Sequence, residues 1–293
     1  MSKFHYLQLD VFAASRGGGN PLGVVIDARE WTDADMQGFA AWTNLVETTF
    51  LLPPTSPGAS YRLRIFTPTN EIPFAGHPTI GSARAALHSG FAHPRDGLLV
   101  QECGAGLLPI RLHDANGEHE LFVKSPAARI VSTEKPSALL RGVLASRALG
   151  PLPPALVEGG RRWWVVEFAD EAGVRGWQPD HAAIKALAAG DNCLGVCIFA
   201  RCANAARELV VRAFPAGVGI VEDPASGAAN GLIAAWIAQR EPTGALARGY
   251  RVSQGREMGH DASITVRIDD DRSVWVGGTS DIVIDGTLRW PLA

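Results

Sequence analysis

Cysteine is scarce, charge of the two signs nearly cancels, and long apolar runs are missing. The chain has 4 cysteines in 293 residues. They are Cys103, Cys193, Cys197 and Cys202, and no two stand in a Cys-x-x-Cys pair. Structural zinc draws on tighter cysteine knuckles with a histidine partner, so reduced buried thiols and no metal are expected. A net charge of −3 without a Lys/Arg cluster leaves no electrostatic footprint for nucleic acid or a membrane surface. No apolar run reaches the roughly 18 residues of a membrane helix, and Met1-Ser2-Lys3-Phe4-His5 has no signal-peptide core, so a cytoplasmic protein is expected. What is present, 46% hydrophobic and 19% charged residues, is a soluble globular composition, and the length accommodates two domains.

The most informative stretch runs from Glu71 to Leu87. Pro73 and Gly76 break regular structure and predict a loop. Pro78 suits the first position of a helix, where its missing N–H is not needed. Gly81, Ser82, Ala83, Ala85 and Ala86 then make that helix slim enough for close packing. Its free first-turn N–H groups lie beside His77, and such a helix start favours a carboxylate or phosphate.

A second stretch, Glu222 to Trp236, repeats the design of loop, proline, glycine and slim apolar helix. Aligning Pro78 with Pro224 sets His77 opposite Asp223 and Gly81 opposite Gly227. Upstream, Arg64-Ile65-Phe66 matches Arg212-Ala213-Phe214. A repeat covering strand, loop and helix start predicts two similar halves. Facing halves would bring two helix starts to one cleft, with a His from one and an Asp from the other, their side chains within about 10 Å.

Elsewhere, Phe4–Phe12 and Leu22–Ile26 read as strands around Gly17-Gly18-Gly19-Asn20-Pro21. That triple glycine is a turn rather than a phosphate loop, because neither Gly-Lys-Ser/Thr nor a helix follows it. Thr32 with Asp35 marks a helix start for Asp33–Thr43. In Asn44 to Leu52 a single carboxylate, Glu47, stands in a run that favours burial. Buried and unpaired, its pKa would rise toward that of a general acid/base; on an edge strand it would face solvent. The residues alone leave both readings open. Leu98–Glu102, Leu107–His113 and Glu120–Val123 predict a meander, with turns at Gly104 to Gly106 and Asn116-Gly117. Ser125–Pro136 reads as a linker, and Pro179–Ala189 as a helix. About a dozen short strands and four or five helices, not in regular alternation, predict an α+β fold with a mostly antiparallel or mixed sheet around one helix per half.

Four groups of residues resemble the PhzF family, named for the phenazine-biosynthesis isomerase, which shares the diaminopimelate epimerase-like fold. They are Asp10-Val11-Phe12 with Gly19-Asn20-Pro21; Glu47-Thr48-Thr49-Phe50; Phe66-Thr67-Pro68 with Glu71 to Thr79; and Asp223-Pro224-Ala225-Ser226-Gly227. The resemblance implies two barrel-like halves, each enclosing a helix: residues 1–126 joined by 282–293, and residues 127–281. It implies an isomerase of trans-2,3-dihydro-3-hydroxyanthranilate that moves a proton without metal or organic cofactor, and a homodimer. Glu47 would take and return the proton, while His77 and Asp223 orient the substrate. The turns of Gly76, Pro78 and Thr79, and of Ser226, Gly227 and Ala228, would hold its carboxylate.

Two departures bear on the substrate. Ala228 stands where the family enzyme has a hydroxyl residue, and Gly259-His260-Asp261 replaces Gly-Arg-Pro. Two alternatives remain beside the isomerase. One is a small-metabolite binding protein in which Glu47 only hydrogen-bonds a ligand. The other is an amino-acid epimerase, disfavoured because neither helix-start loop holds a cysteine.

Overall fold

The computed structural model describes residues 2–115, 118–133, 136–145, 147–203 and 206–291. Its contacts divide the chain into two compact units. One runs up to Lys124 and resumes at Gly277; the other is Ser125–Val276.

The first unit begins with β1 (Ser2–Val11), β2 (Asn20–Ile26), α1 (Asp33–Thr43), β3 (Glu47–Leu52) and β4 (Tyr61–Phe66). It continues with β5 (Glu71–Ile72), α2 (Gly76–His88), β6 (Leu98–Cys103), β7 (Gly106–Ala115) and β8 (Glu118–Lys124). Helix α1 starts with the expected capping box: Thr32 accepts from the Asp35 amide and Asp35 reaches back to the Thr32 amide. It ends at Asn44, whose left-handed φ of 53° turns the chain into β3. Its buried Met36, Phe39 and Ala40 join Trp31, Phe50 and Phe66 in an aromatic-rich core.

Helix α2 packs against β1, β2 and β8. A Cβ on Gly81 would come within 2.5 Å of Leu22 Cδ2 and 2.7 Å of Val11 Cγ2, so the small residue sets the approach of helix to sheet. The Asn116-Gly117 turn expected between β7 and β8 lies outside the described residues.

The second unit holds β9 (Arg129–Ser132), α3 (Ala138–Leu144), β10 (Ala155–Gly159), β11 (Arg161–Glu167), α4 (Glu171–Arg175) and α5 (His181–Gly190). These are followed by β12 (Val196–Arg201), β13 (Leu209–Phe214), α6 (Gly227–Arg240), β14 (Gly249–Gln254), β15 (Ala262–Ile268) and β16 (Val274–Gly278), whose last two residues already belong to the first unit. The chain then continues in the first unit as β17 (Ser280–Trp290), antiparallel to β1. Strand β9 lies inside the stretch expected to be a linker, and pairs with β10. Helix α3, capped by Ser137, was not expected. The fold is α+β, with more strands and helices than the sequence pattern counted.

Strand pairing follows one program in both units. In the first, β1–β2 is antiparallel, β2–β3 parallel, β3–β4 antiparallel, β4–β6 parallel and β6–β7 antiparallel. In the second, β10–β11, β11–β12, β12–β13, β13–β14 and β14–β15 alternate in the same way. Each parallel step needs a crossover, and each crossover carries a helix. The internal repeat is therefore real.

The structure shifts its alignment, however. Arg64 grips Glu71 through two hydrogen bonds of 2.8 and 2.6 Å, and Arg212 grips Glu222 at 2.8 and 2.9 Å. A Cβ on Gly104 would meet Pro73 Cα at 2.8 Å, and one on Gly255 would meet the Pro224 carbonyl at 2.7 Å. Both helices start at a glycine, after Ala75 in one half and Ser226 in the other. From Glu71 and Glu222 onward these pairs share one spacing, so Pro73, not Pro78, is the counterpart of Pro224. The counterpart of Asp223 is Ile72, and that of His77 is Ala228. Pro78 is the third residue of α2 rather than the first. The extra length ahead of Glu222 is one 3₁₀ turn, Ala216–Val218.

Candidate active site

In the first unit Glu47 is the first residue of β3, beside Leu22 of β2. The next two side chains fix its place. Thr48 Oγ1 lies 2.9 Å from Thr43 Oγ1 at the end of α1, and Thr49 Oγ1 lies 2.8 Å from Ser82 Oγ on α2. The Glu47 side chain is buried, with 8% of the residue exposed, so the solvent-facing alternative is excluded. Its Oε2 lies 3.4 Å from Nε2 of His77, the second residue of α2.

His77 is 5% exposed, and burial pushes its imidazole pKa down to about 3, so the ring is neutral at physiological pH. Asn20, fully buried at the start of β2, places its side-chain amide nitrogen 3.3 Å from His77 Nδ1. With Nδ1 accepting from Asn20, the ring proton is assigned to Nε2, which lies 3.4 Å from Glu47 Oε2 in a close contact rather than a formed hydrogen bond. The sequence pattern assigns Asn20 no role; its signal is a polar residue between glycine and proline at a strand mouth. Thr79 spends its amide on Ala75 O and its hydroxyl on Gln101. Gly76 opens the helix, where first-turn N–H groups have no intrahelical acceptor.

In the second unit Asp223 is half-buried, and burial raises its carboxyl pKa. Its own amide bonds Ala213 O at 2.9 Å, and its Oδ1 accepts from the Ala225 amide at 3.1 Å. Ser226 caps α6 through Ala229 N; Gly227 and the exposed Ala228 begin the helix. Gln254, which the sequence reading missed, links this loop to the sheet. Among the described residues no group of three or more His, Cys, Asp or Glu side chains is arranged to hold a metal ion. The four cysteines form no disulfide, and burial pushes the Cys193 thiol up to about 11.

A sequence profile of the PhzC-PhzF family, described as phenazine biosynthesis-like protein, matches residues 9–286. The chain belongs to this family. Antisense-enhancing sequence 1 of Schizosaccharomyces pombe is 33% identical over 98% of this chain and 99% of its own length. The trans-2,3-dihydro-3-hydroxyanthranilate isomerase of Pseudomonas chlororaphis is 33% identical over 90% of each chain. The crystal structure of a PhzF-family phenazine biosynthesis protein from Bacillus anthracis superimposes with a TM-score of 0.84, covering 99% of this chain and 100% of that one, at 23% identity. That likeness shows the shared PhzF fold.

Proposed function

We propose that this PhzF-family isomerase moves a proton within a small, conjugated carboxylic acid, with Glu47 as the group that accepts and returns it. The observation that carries the reading is the buried Glu47–His77 pair, 3.4 Å apart, with its imidazole neutral and oriented by Asn20. A carboxylate held in a poorly solvated place next to an N–H donor is suited to general acid/base work. Glu47 removes a proton from a carbon, the C–H electron pair moves into the conjugated system toward the substrate carboxylate, and the protonated Glu47, open to exchange with solvent in the interval, delivers a proton to another carbon. One proton leaves and one arrives, so the step needs neither metal nor organic cofactor.

In this reading His77 and Asp223 orient the substrate's polar groups. The N–H groups at Gly76, and at Gly227 and Ala228 behind the Ser226 cap, receive its carboxylate. Pro78, which has no N–H, and Thr79, committed to Ala75 and Gln101, shape the first turn. The substrate named for the Pseudomonas chlororaphis relative, trans-2,3-dihydro-3-hydroxyanthranilate, is the first compound to test. Ala228 and His260 at family positions bear on how closely the true substrate follows it. A homodimer and a cytoplasmic location belong to the same proposal; no helix among the described residues is long and apolar enough to cross a membrane.

Glu47→Gln tests the mechanism, because the amide keeps shape and hydrogen bonding but cannot take the proton. It should fold and bind while losing on the order of 10²–10⁴-fold in turnover, together with exchange of the transferred proton with D₂O. EDTA should leave the wild type active. A Glu47→Gln protein of full activity would sink the mechanism and leave a binding protein as the better reading.

A further inference from the structure

We propose that Gln254 is a positioning residue that holds Asp223 and the start of α6 in working geometry; this rests on the substrate-orienting role given to Asp223 above. Gln254 ends β14 and is fully buried. Its backbone is fixed from two sides, paired with Val211 on β13 and Ala262 on β15. From that rigid platform the carboxamide reaches the Asp223–Asn230 loop with both of its ends. Its Nε2 donates to Asp223 O at 2.7 Å, and its Oε1 accepts from Ser226 N at 3.3 Å and from Asn230 Nδ2 at 3.0 Å. Asn230 Nδ2 in turn donates to Ser226 O at 2.8 Å, which closes a buried ring of hydrogen bonds.

The consequence for Asp223 is specific. Its amide is held by Ala213 O and its carbonyl by Gln254, so both peptide groups flanking its Cα are tied to the sheet. The remaining freedom of the carboxyl is narrowed by the Ala225 amide on Oδ1. The next residue permits the close approach: Gly255 has a φ of +92°, and a Cβ there would lie 2.7 Å from Pro224 O.

The first half of the repeat supplies an internal control. At the position of Gln254 it has Cys103, and at the position of Asp223 it has Ile72. Its loop keeps the arginine–glutamate fork and the close glycine, the features both halves need to fold. The carboxylate and the carboxamide beneath it occur together in the second half and are both replaced in the first.

Gln254→Glu is nearly isosteric but, when ionised, can only accept hydrogen bonds. It would then set a carboxylate oxygen against Asp223 O; protonation at lower pH restores one donor and one acceptor. Gln254→Leu removes both ends. Both variants are compared with the wild type by thermal melting, by amide hydrogen exchange over residues 223–230, and by turnover of trans-2,3-dihydro-3-hydroxyanthranilate across pH. The proposal expects exchange at Ser226 to quicken about ten-fold or more in both variants at pH 8, with the C-terminal half of α6 unchanged.

It also expects kcat to fall on the order of ten- to a hundred-fold, with Gln254→Glu, unlike Gln254→Leu, recovering toward acid pH. Wild-type exchange at Ser226 in both variants would overturn it, as would a Gln254→Glu profile parallel to the wild type. Asp223→Asn, measured alongside, separates the two layers. A fully active Asp223→Asn would remove the role of Asp223 and this proposal with it. An inactive Asp223→Asn beside fully active Gln254 variants would overturn the positioning role alone.

Discussion

An imidazole buried as deeply as His77 imposes a pH dependence on folding. Burial lowers its pKa from the ordinary 6.5 to about 3. Above about pH 6.5 the ring is neutral in the folded and unfolded chain, and it contributes nothing to pH dependence. Below that value the unfolded chain binds a proton that the folded ring refuses, so stability is lost as pH falls toward 3. The slope for one such group is about 1.4 kcal/mol per pH unit. His77→Gln removes the titration and keeps polar atoms in the site. Urea denaturation of both proteins between about pH 6 and pH 4 should show the wild type losing stability faster than the variant, by a rate near that slope. Parallel stability curves would mean that the ring takes up a proton in the folded state, and the neutral Nε2–H donor assigned to it beside Glu47 would have to be abandoned.

At the level of elements, the two Arg–Glu forks look alike and differ in burial. Each guanidinium also lies 5.1 Å from the centre of the phenylalanine ring two residues on. The Arg212 side chain is 5% exposed and its Glu222 partner 9%, and Arg212 also donates to the carbonyls of Val174 and Trp177. In the other fork the Arg64 side chain is 15% exposed, but its partner Glu71 is 43% exposed and its second partner Asp33 85%, so water reaches both carboxylates. Removing one member of a buried pair strands the other without water, at a cost of roughly 3–5 kcal/mol. A solvent-exposed pair is worth about 1 kcal/mol or less. Arg212→Ala should therefore destabilise the protein by several times as much as Arg64→Ala in chemical denaturation. Equal losses would contradict the ranking by burial.

The forks also show what the sequence made legible. The strand–loop–helix repeat could be read because proline, glycine and Arg-x-Phe are local signals. Its phase was misread because Pro78 and Pro224 served as anchors. Proline is tolerated at the third helical position as well as the first, since none of the first four N–H groups has an intrahelical partner. The matching of Glu71 with Glu222 was available, but its meaning depends on each glutamate meeting its arginine in space. Glu47 could be singled out as chemically odd, whereas its burial depends on α2 packing across the mouth of β3. Gln254 gave no signal because its partners are main-chain groups and one buried asparagine on other elements. Helix α3 is only 7 residues long, too short for periodicity to distinguish it from loop.

At the scale of the whole molecule, the first unit is built from both ends of the chain. Strand β17 pairs with β1 along its length, from Ser2 opposite Trp290 to Val11 opposite Ser280. Side chains reinforce the ladder. Asp285 on β17 accepts from His5 on β1 at 2.7 Å and from His88 at the end of α2 at 2.8 Å, and these contacts hold its carboxyl below the usual range. Trp290 lies stacked 6.4 Å from Trp31 and edge-on 5.0 Å from Phe39, so the last described turn of chain covers part of the aromatic core. Ending the chain after Thr279 would expose the outer edge of β1, uncover that core and leave His5 and His88 without their shared carboxylate. The second unit keeps all of its own strand pairs in such a chain. Limited proteolysis followed by mass spectrometry should accordingly show cleavage within residues 2–115 accelerated by on the order of ten-fold or more, while Ser125–Val276 keeps the wild-type rate. Equal acceleration across both units would show that they unfold as one, and unchanged rates in both would show that β1 is held without its C-terminal partner.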